Sequence, residues 1–401
     1  MPTTPAVQQD GPARFGKLGK LPWLMSSVGG SSDLFGYLGP NWYASIMGTG
    51  VIATAGAAMP VSIPGLHEFA LIVWVLAAGL LAALVAATAI HWIRHPQVAR
   101  SHGRDVSMAQ FYGAPPMALL TVGAGAVLIG HFLIGERAAV DLDWILWIAG
   151  TVMGLATSIV IPYRLFTQIE VKPDAAFGGW LMPVVPPMVS AATGALLVAH
   201  VASPVGRATL LYACYSMFGL SMVASLVIIT LIWSRLVFFG TSGGARVPTL
   251  WIVLGPLGQS ITAAGLLGLN SHLALSGPIQ VAFSDFGLLF GVPVWGFAVL
   301  WIALASALTV RTMRKRLPFA LTWWSFTFPV GTFVTGTTRL AAETGLPAFR
   351  VAAVVAYAGL LLAWVTVAAR TALGSLRGEL FLPNPSAAAP VAHKEQVVVA
   401  G

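Results

Sequence analysis

The 401-residue chain is 57% hydrophobic and only 8% charged, with a mean hydropathy of +0.84, whereas an average soluble domain carries roughly 25% charged residues. That balance excludes a soluble globular domain and identifies an integral membrane protein. A formal charge of +8 invites a nucleic-acid reading, and a single cysteine, Cys214, excludes an intrachain disulfide and a cysteine metal cluster.

The chain starts with a stretch, Met1 to Ser32, that carries Arg14, Lys17 and Lys20 but no apolar run long enough for the core of a signal peptide. Residues 1–37 are expected to form a cytoplasmic segment. One span needs about 20 largely apolar residues. By that measure ten helices are expected, near residues 38–58, 69–93, 109–133, 142–163, 180–201, 208–233, 248–268, 283–309, 319–342 and 347–373. Residues 374–401, rich in Pro and Ala towards their end, are expected to be a disordered cytoplasmic tail.

The first span has Pro40 at its start and Ser45 and the run Met47-Gly48-Thr49-Gly50 in its middle. Small residues there allow close backbone approach, and Thr49 can bond a neighbouring carbonyl or face water. The third, fifth, seventh and ninth spans each carry a proline, at Pro115, Pro186, Pro256 and Pro329, spaced 70 to 73 residues apart. This is the period of a membrane helical hairpin, and it marks an internal repeat. The same spans hold polar side chains: Thr121; Ser190 and Thr193; Gln259, Ser260 and Thr262; Thr332 and Thr335. A proline frees a carbonyl that hydrocarbon does not tolerate, so the four are expected to kink helices that face inward and line a pore. The spans between them are smoother and greasier. The expected fold is all-α, five hairpins with an inner ring of odd helices in quasi-fivefold order around a central pore. It differs from the inverted halves of many secondary transporters.

Along that topology the basic residues divide 17 to 4 between the two faces, the smaller group being Arg137, Arg207, Arg339 and Arg350. The bias places both termini in the cytoplasm and explains the net charge without nucleic acid. Tryptophans at 42, 92, 144, 147, 180, 233, 251, 323 and 324 stand near span ends, as interfacial anchors do.

In the ninth span, Trp323-Trp324-Ser325-Phe326-Thr327-Phe328-Pro329 is followed by Thr332, Thr335 and Thr338 at helical spacing. Such a stripe can replace part of an ion's hydration shell, or its hydroxyls can bond back to their own helix. This segment, with Asn41-Trp42-Tyr43 and Met47-Gly48-Thr49-Gly50, resembles the tellurite-resistance/dicarboxylate transporter family. That family includes malate permeases, sulfite pumps, tellurite-resistance proteins and plant slow anion channels, and the likeness covers roughly residues 38–373. The Met-Gly-Thr-Gly run is closer to the malate and sulfite branches. The resemblance implies a homotrimer of independent pores in the plasma (inner) membrane, each closed by a ninth-helix phenylalanine, here Phe328. An aromatic constriction excludes water, and an ion cannot shed its hydration there without replacement ligands.

Charge within the spans is sparse: Asp285 lies at one end of the eighth, and Arg339 and Glu343 towards the outer end of the ninth. No acidic residue is expected near a midplane, which argues against a carboxylate-based cation or proton pump. His131, His200 and His272 recur about one repeat apart at the outer ends of their helices. With Arg339 they could ring a vestibule that is positive when protonated.

The expected activity is transport of a small anion, a C4-dicarboxylate such as malate or succinate, or sulfite. The alternative is a passive voltage-dependent inorganic anion channel or a tellurite-resistance-type protein. No metal-ligand spacing, no nucleophile paired with a base and no complete phosphate-binding GxxxxGK[ST] loop occurs in the chain. No enzyme, cofactor or metal is therefore expected.

Overall fold

The structure, a computed structural model, describes residues 35–381 apart from positions 242 and 316. Most of the expected cytoplasmic tail, residues 382–401, and nearly all of the expected N-terminal segment lie outside the described residues, whereas residues 374–377 continue the last helix. Within them the chain is helical, with no β-strand. We number the principal helices α1 (Tyr43–Ala57), α2 (Leu66–Arg94), α3 (Ala114–Gly125), α4 (Glu136–Thr167) and α5 (Pro186–Leu197). They continue as α6 (Pro204–Phe239), α7 (Leu254–Asn270), α8 (Pro278–Met313), α9 (Phe328–Thr344) and α10 (Pro347–Arg377). A short helix, Pro96–His102, follows α2, and α3 extends through a π-helical turn, Ala126–Gly130, to His131–Ile134.

Seven helical stretches are long and apolar enough to cross a membrane. The remaining three expected spans contain α1, α5 and α9, of 15, 12 and 17 residues. They are short because a tighter lead-in takes the place of regular α-helix on one side. The four repeat prolines stand at these junctions. Pro115 and Pro329 are second in α3 and α9, Pro186 is first in α5 and Pro256 third in α7. The 3-10 turns Ala109–Gly113, Gly178–Leu181, Gly244–Val253 and Leu321–Phe326 precede them. Each proline therefore begins an α-helix and does not bend the middle of one, because the first turn has no use for the missing N–H. Prolines inside a continuous helix occur instead in α4 (Pro162) and α8 (Pro293), on the helices expected to be smooth.

Burial separates odd from even helices. In α5, 11 of 12 residues are buried, whereas in α8 only 6 of 36 are. The exposed face of α8 is apolar, including Leu289, Val292 and Leu300. Such a face is stable in lipid and costly in water. Each odd helix packs on the even helix that follows it. Among the odd helices α1 touches α3, α3 touches α5, α5 touches α7, α7 touches α9, and α9 touches α1. Close approach depends on glycine: a Cβ on Gly336 would lie 2.8 Å from the Gly258 carbonyl oxygen. Gly345, at φ +69°, ends α9 in a conformation that strains other residues, and α10 starts two residues later.

Tryptophans on the even helices pin them to the odd ones. Trp74 Nε1 donates to the Val122 carbonyl at 3.0 Å, Trp147 to the Ser190 carbonyl at 2.9 Å and Trp301 to the Leu250 carbonyl at 2.8 Å. Trp295 and Trp364 donate to the hydroxyls of Thr337 and Thr49, at 3.0 and 3.2 Å. Trp147, Trp323 and Trp324, expected as interfacial anchors, are buried, whereas Trp92 and Trp233 are exposed. An indole seated between helices satisfies its N–H inside the protein. Cys214 of α6 is fully buried against Gly194 of α5.

Candidate functional site

The residues that the sequence singles out in the first and ninth spans meet in space. A Cβ on Gly48 would stand 2.6 Å from the Trp324 indole, and one on Gly331 would collide with Val51. Thr327 donates to the Trp324 carbonyl at 2.7 Å, and this turn delivers the chain into α9 at Phe328. The Phe328 side chain is thereby directed inward and is buried.

Two cavities adjoin Phe328. The larger, of about 210 Å³, is lined by hydroxyl and amide groups together with Arg339 and small apolar residues such as Ala124, Ala192 and Ala342. The smaller, of about 20 Å³, is walled by Met47, Phe111, Met117, Met182 and Trp324 among others. Phe328 lines both. Each cavity draws residues from all five odd helices or from the chain just before them, whereas no residue of α2, α4, α6, α8 or α10 lines either.

Of the polar residues expected to line a pore, Thr121, Thr193, Gln259, Thr262 and Thr335 line the larger cavity. Ser45, Thr49, Ser190, Ser260 and Thr332 do not. Ser45 donates to the Trp42 carbonyl at 2.7 Å, Thr49 accepts from Trp364, and Ser190 accepts from Thr151 at 3.0 Å. Ser260 donates to the Leu257 carbonyl at 2.8 Å, and Thr332 to those of Pro329 and Leu254 at 2.7 and 3.0 Å. A helix has one face towards any cavity, and these five lie on the others. Thr54, which also lines the cavity, was missed. The Met-Gly-Thr-Gly run marks Thr49, a little over one turn earlier, whereas Thr54 has no such motif around it.

Of the residues expected to ring a vestibule, one lines the larger cavity. Arg339 lines the larger cavity, and its Nε donates to Glu343 Oε1 at 2.6 Å. His131, His200 and His272 are not among the lining residues. The rings of His131 and His272 bond back through Nδ1 to the carbonyls of Val127 and Leu269, at 2.8 and 2.7 Å, and His200 is exposed. Helix-end imidazoles can reach their own last turn and so stay out of the bundle.

Two features were not anticipated. Asp143 of α4 is fully buried, and neither carboxyl oxygen has a hydrogen-bond partner. It faces Gly123 of α3, where a Cβ would lie 2.5 Å from Oδ1. At the end of the bundle away from the hairpin turns, the ring of His91 stacks with those of His95 and His102, centroids 6.1 and 5.5 Å apart. Nδ1 of His91 lies 2.5 Å from the Phe35 carbonyl. His102, in the short helix after α2, is held below the ordinary histidine value by burial and then by His91, with Asp105 acting in the opposite direction.

Phe328 thus stands on the wall of both cavities, and no cluster of His, Cys, Asp or Glu able to hold a metal occurs among the described residues. The family model described as voltage-dependent anion channel, SLAC1, matches residues 37–372. The chain belongs to the SLAC1 family. Its similarity to named relatives extends over most of their length. A sulfite efflux pump of Trichophyton rubrum is 26% identical over 85% of this chain and 92% of its own. An uncharacterised transporter of Methanocaldococcus jannaschii is 25% identical over 85% and 96%. The malic acid transport protein of Schizosaccharomyces pombe is 19% identical over 77% and 72%. The SLAC1 family transports anions across membranes. Its members are not enzymes, and the apolar helices of this chain suit that setting.

Proposed function

We propose that the chain conducts a small anion, sulfite or a C4-dicarboxylate such as malate or succinate, along the axis of its five odd helices, and that Phe328 closes the passage. The observation that carries this reading is the position of Phe328 on the wall of both cavities. No residue of an even helix lines either cavity, and the contacts among the odd helices return from α9 to α1. These features support five hairpins in quasi-fivefold order and ten spans, with α1, α5 and α9 completed by their lead-ins. The uneven distribution of basic residues supports cytoplasmic termini. A plasma-membrane homotrimer is what the family resemblance implies.

Sulfite is favoured because the relatives of T. rubrum and of two Arthroderma species, 26 to 27% identical, carry that activity in their names. A dicarboxylate has the weaker support of the S. pombe relative. The second reading, a passive channel for inorganic anions, draws on the scarcity of fixed charge in the larger cavity, where Arg339 is the one ionisable side chain on the lining and is already paired.

Radiolabelled sulfite, malate and succinate counterflow in proteoliposomes, with and without a pH gradient, tests the proposal. Saturable flux of at least one of them is expected. No flux of any anion from correctly folded protein overturns it. Electrical recording separates channel from carrier, since channel current reverses where the anion gradient alone dictates.

A further inference from the structure

A hydroxyl carries one proton, and around the larger cavity most of those protons are already committed. Thr54, Thr121 and Thr193 donate to the carbonyls of Val51, Met117 and Val189, at 3.3, 2.7 and 3.0 Å. The hydroxyls of Thr262 and Thr335 lie 2.8 Å apart and also reach the carbonyls of Gly258 and Thr332. Two protons serve those contacts, and none is left over. What these five threonines turn towards the cavity is lone pairs, which do not hold an anion.

Thr338 is the exception. The residue is 7% exposed and lines the cavity, and its hydroxyl oxygen is enclosed with no hydrogen-bond partner. Arg339 follows it in the chain. The Arg339 Nε is bound to Glu343, and no hydrogen bond to a described residue occupies its two Nη groups. Glu343 Oε2 is buried without a partner. The fold makes room for the pair: a Cβ on Gly265 of α7 would stand 2.8 Å from Glu343 Oε1 and would overlap the Arg339 stem.

We propose that Arg339 and Thr338 form an anion-binding site on the larger cavity that takes an oxyanion, a carboxylate or sulfite, on the Nη groups of Arg339 and on the Thr338 hydroxyl, which a turn about its Cα–Cβ bond brings to the anion. Glu343 is the positioning residue. It fixes the guanidinium through Nε, and its negative charge weakens the hold on the transported anion, so that the anion is released. A planar guanidinium fork matches two oxygens of an oxyanion and has no such match with chloride, so the site favours oxyanions. This inference rests on the proposed function and names the residues that would bind the cargo.

The test uses purified full-length protein. Half-saturating sulfite and chloride concentrations for flux are measured in proteoliposomes, and stabilisation by added sulfite against heat is measured in detergent. Arg339→Gln is expected to raise the half-saturating sulfite concentration about tenfold or more, since hydrogen bonds to charged groups contribute about 1.5 to 3 kcal/mol. Chloride should change less. Thr338→Val, nearly the same shape, is expected to raise it severalfold. Glu343→Gln keeps an acceptor for Nε and removes the charge, so it should lower the half-saturating concentration. A wild type that saturates, with unchanged half-saturation and unchanged sulfite stabilisation in both Arg339→Gln and Thr338→Val, overturns the site and leaves the proposed function standing. Wild-type protein without flux overturns the proposed function, and the stabilisation measurement then decides the site by itself.

Discussion

Gly48 of α1 and Trp324, in the lead-in to α9, are in such close contact that a methyl group on the glycine would lie 2.6 Å from the indole and nearer still to the Thr327 hydroxyl. This contact fixes where α9 begins and therefore where Phe328 is aimed. Gly48→Ala should cost about 1 to 3 kcal/mol through overpacking, seen as a lower thermal midpoint in detergent. An unchanged midpoint would mean that the indole moves aside freely and that the contact does not set the start of α9.

Phe328→Ala should merge the two cavities and raise anion flux. Each 1.4 kcal/mol removed from a barrier gives about tenfold in rate, so a dewetted constriction that dominates the barrier should yield at least that. The same substitution should destabilise the protein by about 3 kcal/mol or more through the cavity it leaves. Flux normalised to folded protein separates the two effects, and flux equal to wild type would remove Phe328 from the gating role.

The broad plan was legible in the sequence because burial and polarity follow the same repeat. The odd segments carry Gly, Thr and Ser and are buried, and the even ones carry Leu, Val and Ile and are exposed. The role of the prolines was not legible, since Pro115 and Pro329 look internal to an apolar run whether the preceding turn is α or 3-10. Hydroxyl direction was not legible either. Thr332 and Thr335 are one turn apart, yet Thr332 bonds across to the Leu254 carbonyl and Thr335 lines the cavity. The residues that stand out most are those the composition does not announce. Asp143 is one carboxylate at the edge of an expected span, and only the packing of α3 against α4 buries it.

Asp143→Val should raise stability. A fully buried polar group without a partner costs about 1 to 3 kcal/mol, and valine is close in shape. The expected result is a higher thermal midpoint in detergent. A lower one would mean that the carboxyl has a partner in the membrane-embedded protein.

Acidification should weaken the end of the bundle that holds the histidine stack. Burial, then His91, keep the His102 imidazole below its usual 6.5, against the pull of Asp105, and His95 adds a further ring beside His91. The unfolded chain therefore takes up a proton near pH 6.5 that the folded protein resists. This contribution is fully present above about pH 6.5 and is lost as the pH falls towards the depressed folded value. His102→Gln should flatten the dependence of thermal midpoint on pH between neutral and mildly acidic conditions. An unaltered slope would show that His102 stays uncoupled from folding.

The burial of Cys214 has a practical consequence. With the sole native thiol enclosed between α5 and α6, a cysteine introduced at Ala44 or at Ala342, on opposite sides of Phe328, would be the only one within reach of a water-soluble maleimide. Labelling rates at those two positions would report directly on which compartment wets each half of the passage.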